Sequence, residues 1–282
     1  MTIEINKEIT VHPASETACF QYCKRTYLLE DTCITLYDRY KLSILLRDGM
    51  ATVTSGGIDH LIRGDVVLFR PEEIHFARIL KEGEHEYLTI LIPPSLLADI
   101  GGEAFAYMFE DTAADRVNHL SPPPEIRAEL LRLAERMAAL LQNGGEAASL
   151  RLFGCLIVVL EYCLTLYDTQ KRHPLASAMP AVISTALEYI HTRYAEIDGL
   201  SDIAAHAGCS VTYLTRLFRR HTGMSVHGYL TGCRLSHAKL LLDSGASVTE
   251  ACYRTGFGDC SGFIKIFRAA EGVTPLQYKR RE

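Results

Sequence analysis

The chain has 282 residues, 48% of them apolar and 22% charged, with a formal net charge of −5. That composition excludes a disordered chain and leaves room for one large or two ordinary domains. Charge is uneven: from Leu175 onward 12 Lys and Arg stand against 9 Asp and Glu, whereas the preceding residues carry 17 against 25. A mildly basic C-terminal part joined to an acidic N-terminal part suggests two partners of different character.

The start, MTIEINKEIT, has no basic n-region and no apolar core, so no secretory signal is read and a soluble, cytoplasmic protein is expected. The nine cysteines (Cys19, Cys23, Cys33, Cys155, Cys163, Cys209, Cys233, Cys252 and Cys260) are scattered and form no CxxC. They are expected to be thiols, most of them small buried hydrophobes. The spacing of Cys19, Cys23 and Cys33 matches no common zinc module.

From Ile34 to Pro93 short apolar runs are punctuated by Asp48-Gly49, Gly56-Gly57 and Gly64-Asp65, which predicts a β-meander or jelly-roll barrel. A barrel interior can hold one small molecule. Metal-binding barrels of this kind need a cluster of histidines with a carboxylate near the hairpin. The stretch DGMATVTSGG after Arg47 has no histidine, so neither metal nor other cofactor is expected. The candidate pocket groups are Arg39, His75, Glu86 and Tyr87. On the residues alone Arg39 reads as a surface side chain, and His75 equally as an ordinary turn histidine.

The prolines of SPPP (Ser121 to Pro124) open a second region. Ile126, Leu130, Leu133, Met137, Leu140 and Leu141 recur at helical spacing, NGGE ends that helix, and AASLRLFGCLIVVLEYCLTLYD starts another. The second helix is apolar nearly all round, so both of its sides should be covered, by the core or by a second subunit. Its apolar run, Leu152 to Tyr167, is interrupted by Glu161 and is expected to be too short to span a bilayer. TQKRHPLASAMP then reads as a linker.

The third region, from about Ala181, reads as all helical and contains a near-repeat. DIAAHAGCSVTYLTRLFRRHTGMS begins at Asp202 and TEACYRTGFGDCSGFIKIFRAAEGVTP at Thr249. Gly208 matches Gly256, and Phe218-Arg219 and Gly223 match Phe267-Arg268 and Gly272. Each copy has the logic of a helix-turn-helix: a small residue at the crossing (Ala204, Cys252), a glycine at the turn (Gly208, Gly256), then an apolar, basic helix. A helix of roughly 18 residues between the copies would be about 27 Å long. That is close to the roughly 34 Å between successive major grooves on one face of DNA.

These residues resemble the DNA-binding domain of the AraC/XylS family of transcription regulators. The resemblance rests on DIAAHAGCSVTYLTRLFRRHTG, YLTGCRLSHAKLLL and GFGDCSGFIKIFRAAEGVTPLQYKRR, and covers about the last third of the chain. LRDGMATVTSGGIDHLIRGDVVLFRPEEIHFARI likewise resembles the cupin-like sensor barrel of the family's sugar-responsive branch, which implies Arg39 and His75 as effector contacts.

The resemblance implies a first recognition helix from about Val211 to His221. Leu214, Leu217 and Phe218 would face the core, and Thr212, Tyr213, Thr215 and Arg216 a major groove. Arg216 suits guanine O6 and N7, while Arg219 and Arg220 suit phosphates. The second helix is chemically poorer: Asp259, Cys260 and Gly262 offer little, which leaves Ser261 and Lys265 as its DNA contacts.

The expected architecture is therefore multidomain. An all-β cupin-like barrel (1–120) is followed by a helical, dimerising pair (121–170), a linker (171–180) and an all-α domain with two helix-turn-helix motifs (181–282). The expected function is a non-enzymatic, sequence-specific transcription regulator controlled by a small-molecule effector, with a sugar or sugar derivative as a candidate. Its expected partners are a double-stranded DNA operator, a second copy in a homodimer, and RNA polymerase; no membrane is expected. Two alternatives stay open: an effector-independent DNA-binding dimer, and a cupin enzyme fused to a DNA-binding domain.

Overall fold

The computed structural model describes residues 3–9, 17–29, 32–54, 58–111, 117–145, 147–171 and 179–280. The Gly56-Gly57 turn, most of the expected linker (172–178) and the Cys33 side chain lie outside the described residues.

Among the described residues, nine strands come first: β1 (Ile3–Ile9), β2 (Ala18–Tyr27), β3 (Thr32–Thr35), β4 (Tyr40–Leu45), β5 (Met50–Val53), β6 (Ile58–Leu61), β7 (Val66–Phe69), β8 (His75–Ile79) and β9 (Gly83–Ile92). Helix α1 (Pro94–Glu110) and strand β10 (His119–Leu120) follow. The strands form two antiparallel sheets, ordered β1-β2-β9-β4-β7-β10 and β3-β8-β5-β6. Successive side chains of a strand point to opposite faces. On the larger sheet Phe20, Leu42, Ile44, Val66, Leu68, Leu88 and Ile90 therefore share a face and pack against helices. Their strand neighbours Lys41, Ser43, Val67, Phe69, Tyr87 and Thr89 face the smaller sheet across a cavity. Sequence reading gave no sign of α1. Gly101-Gly102 hides it, and the helix breaks there, with Gly102 at φ 55 and ψ −144.

Helices α2 (Pro124–Asn143) and α3 (Ala148–Lys171) form the expected pair. Helix α2 starts with proline at its first turn, where no intrahelical amide is lost. Helix α3 buries Leu152, Leu156, Val159, Leu160, Cys163 and Tyr167, and leaves Leu150 74% and Val158 41% exposed. Among the described residues, one of its sides is covered. At 24 residues it is longer than the sequence run suggested. By length and composition it could cross a membrane, but its buried side is that of a core helix.

A buried ion cluster ties the barrel to this pair. Asp65, 2% exposed, accepts hydrogen bonds from His119 Nε2 (2.8 Å), Ser121 Oγ (3.0 Å) and the Ile62 amide (2.9 Å). It also pairs with Arg127 of α2 at 2.9 Å. Burial pushes the Asp65 carboxyl up, but hydrogen bonds from His119, Ile62 and Arg127 outweigh it and hold it below its ordinary value. Burial likewise pushes His119 down, and its hydrogen bonds to Asp59 and Asp65 overcome this, raising it to about 9.

The C-terminal part holds α4 (Ala181–Arg193), α5 (Leu200–His206), α6 (Val211–Thr222), α7 (Val226–Asp243), α8 (Val248–Arg254), α9 (Cys260–Glu271) and α10 (Pro275–Lys279). The repeat is visible in the caps. Ser210 and Asp259 cap α6 and α9 through their side chains, and Gly223 and Gly272 end the same two helices. Gly208 and Gly256 take φ 66 and φ 81 at the turns. Gly256 also sits so close to the chain that a Cβ would lie 2.5 Å from the Ala195 carbonyl oxygen. The second motif has its own core around Phe263 and Phe267. The first motif shares its core with Ile34, Val53 and Phe76 of the smaller sheet and with Leu36 and Ile74 beside its strand ends.

Because His119 is raised in the folded state, its stabilisation is complete below about pH 6.5 and is lost as pH rises through about 9. The loss should be on the order of 2–3 kcal/mol. Urea unfolding at pH 6 and pH 10 should show the wild-type chain losing this increment and His119→Gln losing none of it. Equal pH dependence in the two chains would refute the assignment.

Candidate DNA-binding face and sensor cavity

Helix α6 is amphipathic in the strict sense. Leu214 and Phe218 are fully buried, and Leu217 packs half-buried at the edge of the same core. On the opposite side Thr212, Thr215, Arg216, Arg219 and Arg220 line one open surface together with Val211. The Ser210 hydroxyl accepts from the Tyr213 amide at 3.2 Å and fixes the start of the helix. Thr215 donates its hydroxyl to the Val211 carbonyl at 2.8 Å, so its methyl group is what it offers outward. The Arg216 guanidinium lies 5.9 Å from the centre of the Tyr213 ring, a cation–π contact at the edge of the effective range. Tyr213 is itself exposed beside this surface.

Helix α9 presents Ser261 and Lys265 in the corresponding places, both exposed. The Asp259 carboxylate is occupied as the helix cap, accepting from the Gly262 amide at 2.6 Å. A Cβ on Gly262 would lie 2.8 Å from Asp259 Oδ2, so the small residue goes with the tight cap. Arg268 is exposed on the same side as Lys265, and sequence reading passed over it. The repeat itself carried the signal, because Arg268 is the counterpart of Arg219.

The cavity between the sheets has a volume of about 500 Å³ and is lined by side chains from both. Its rim includes Lys239, Glu271 and Tyr278 of the C-terminal part, the first two ion-paired at 3.0 Å. His75 and Tyr87 line it; Arg39 and Glu86 do not. Arg39 donates to the Thr17 carbonyl at 3.2 Å and sits beside Asp38. Glu86 accepts from the Tyr22 hydroxyl at 2.7 Å. Glu86 and Tyr87 are neighbours on one strand, so alternation sends them to opposite faces.

The cavity residues that sequence reading missed include Lys41, Ser43, Thr35 and Thr89. Ser43 and Thr89 are cross-strand partners whose buried hydroxyls meet at 2.7 Å. Tyr27 and Tyr87 pair their hydroxyls at 3.2 Å. His75 Nδ1 lies 2.9 Å from the Glu73 carbonyl, which fixes the proton on that nitrogen. Nε2 is then the acceptor nitrogen, with Lys41 Nζ at 2.9 Å and Thr35 Oγ1 at 2.7 Å as the two donors in reach of its one lone pair. Burial, with the Lys41 charge added, pushes His75 well below its ordinary value and keeps it neutral. The ring stacks on Phe69 at 3.5 Å, so His75 acts as a fixed acceptor that holds Lys41 in the cavity. Among the described residues, no group of three or more metal-ligating side chains comes together.

Two family models match the chain. A helix-turn-helix domain matches residues 203–281, and an AraC-like ligand binding domain matches residues 45–153. The chain is 25% identical over 198 residues to the HTH-type transcriptional regulator YbfI of Bacillus subtilis, a span of 70% of this chain and 69% of that protein. It is 27% identical over 158 residues to the HTH-type transcriptional activator RhaR of an Enterobacter species, 56% of this chain and 54% of the relative. It thus spans about half the length of that second relative. Among solved structures, the C-terminal domain of AraT, a response regulator from Geobacillus stearothermophilus, is 30% identical, with a TM-score of 0.36. That match covers 38% of this chain and 89% of the AraT domain.

Nitrogen-resolved NMR should find His75 neutral and protonated on Nδ1 at pH 6, with no titration near about 6.5, the ordinary histidine value. Lys41→Met should move its titration upward. A His75 that titrates like a free imidazole would contradict the geometry.

Proposed function

We infer that the chain is a member of the AraC family of helix-turn-helix transcription regulators, with a ligand-binding domain ahead of its DNA-binding domain. From that premise we propose that α6 reads an operator sequence under the control of a small molecule held in the cavity. The observation that carries this reading is the open outer face of α6, where Thr212, Thr215 and Arg216 stand beside Arg219 and Arg220. Base-edge readers and phosphate clamps on one helix are what a major groove requires. Helix α9 adds Ser261 and Lys265, with Arg268 beside them, and contributes more to the backbone than to base edges.

A carbohydrate or carbohydrate derivative suits the cavity. The hydroxyl pairs Ser43–Thr89 and Tyr27–Tyr87 can each share a proton with a ligand hydroxyl. Met50, Ala77 and Ile79 offer apolar cover from the smaller sheet. His75, Lys41 and Tyr87 replace Arg39 and Glu86 in this reading. The sensor occupies residues 1–120, the helical pair 121–170, the linker 171–180 and the DNA-binding domain 181–282. The exposed Leu150 and Val158 on α3 support a homodimer. The regulator would act in the cytoplasm on double-stranded DNA, with RNA polymerase as its downstream partner.

The test begins with an operator selected in vitro by the full chain. Arg216→Ala should lose about 1–3 kcal/mol of discrimination at one base position. Arg220→Ala should weaken all sequences alike and lower the salt slope by about one unit. Unchanged discrimination in Arg216→Ala would remove α6 from the reader's role.

The exposed position of Val158 permits a clean test of the dimer. Val158→Glu should leave the circular dichroism unchanged and shift the sedimenting species from dimer to monomer. A wild-type chain that sediments as a monomer at tens of micromolar would end the idea.

A further inference from the structure

Strand β8 has a different neighbour on each face. His75, Ala77 and Ile79 line the cavity. Phe76 and Arg78, between them, point into the DNA-binding domain. The Phe76 ring is fully buried and meets Tyr229 of α7 at 5.3 Å, and Tyr229 meets Phe218 of α6 at 5.5 Å. One strand further, Ile34 of β3 leaves no room for a Cβ on Gly232 of α7, and its carbonyl accepts from Ser236 Oγ at 3.3 Å.

Arg78 makes the contact that bears on recognition. Its Nη1 donates to the His221 carbonyl at 2.9 Å. His221 lies in the last turn of α6, where backbone carbonyls have no intrahelical donor and the helix dipole presents its negative end. The guanidinium continues over the helix cap, where a Cβ on Gly223 would lie 3.2 Å from Arg78 Nε. The backbone that carries Arg78 is held on both sides, by Thr32 of β3 and Ala51 of β5.

We propose that Arg78 is a positioning residue for DNA recognition, holding the C-terminal end of α6 so that Thr212 and Arg216 enter the groove at a fixed angle. The inference rests on reading α6 as the base-reading helix. Base-edge hydrogen bonds are directional and fail when a helix tilts. Phosphate contacts through the long side chains of Arg219 and Arg220 tolerate the same tilt. Loss of the clamp should therefore cost specific binding and spare nonspecific binding.

The experiment measures affinity of the full chain for its selected operator and for a random duplex at one salt concentration. In Arg78→Ala the ratio of the two affinities should fall five- to twentyfold, while affinity for the random duplex stays within twofold. Arg78→Lys, which keeps a charged donor, should recover part of the ratio. A smaller folded fraction would lower both affinities together and leave the ratio intact, so the readout separates positioning from stability. If Arg78→Ala does not fold, Arg78→Gln serves the same measurement. An unchanged ratio in the folded variant, with Arg216→Ala lowering it, overturns the clamp alone. An unchanged ratio in both variants overturns the reading of α6, and the clamp with it.

Discussion

Alternation along the β-strand is the constraint on which this molecule depends. A strand must send successive side chains to opposite faces, and each sheet here uses both. The larger sheet buries Leu42, Ile44, Leu88 and Ile90 against helices and turns Lys41, Ser43, Tyr87 and Thr89 to the cavity. The smaller sheet turns Thr35, His75 and Ala77 to the cavity and Ile34 and Phe76 to the DNA-binding domain. The wall between the cavity and the first recognition motif is thus one strand layer thick. No additional element is needed to bring sensor and reader together.

Within the C-terminal part the two motifs share a backbone plan and differ in chemistry. The caps and turn glycines recur at matching places, because a helix-turn-helix needs a capped second helix and a left-handed turn whatever it binds. The outward faces are not under that constraint. The cap of α6 is a neutral serine, and its face carries Arg216, Arg219 and Arg220. The cap of α9 is Asp259, a carboxylate already engaged by the helix amide, and Gly262 beside it has no side chain to offer. The same fold therefore supports two outward faces of different chemistry.

The sequence was most legible where local rules decide. Helical periodicity and turn glycines marked both motifs, and the outer face of α6 came from the family resemblance they supported. The barrel's strands were legible as strands, but which side of each faces a ligand depends on what covers the other side, and that is a long-range fact. Lys41 and Ser43 form a polar row at every second residue of YKLSIL and could have been found that way. Glu86 and Tyr87 could have been recognised as mutually exclusive. Arg39 lies just ahead of β4, outside any alternation, and its direction is set by the loop. Helix α1 was hidden by its own Gly101-Gly102. The Arg78 contact joins residues 143 positions apart and leaves no local trace.

The shared wall also sets how an effector can work. A ligand shifts an equilibrium only by its differential affinity for the two states. In the cavity it would touch His75, Ala77 or Ile79, while Phe76 and Arg78 on the same strand hold α7 and α6. Cavity occupancy and domain docking thus compete for, or cooperate through, the same five residues of backbone. Among the described residues, the second motif reaches the cavity lining through Tyr278 and Glu271, the latter paired with Lys239 of α7. Ion pairs that are partly solvated contribute little, whereas the contact around Phe76 is fully buried. The stronger coupling therefore runs to the first motif, the one whose helix α6 is proposed to read bases.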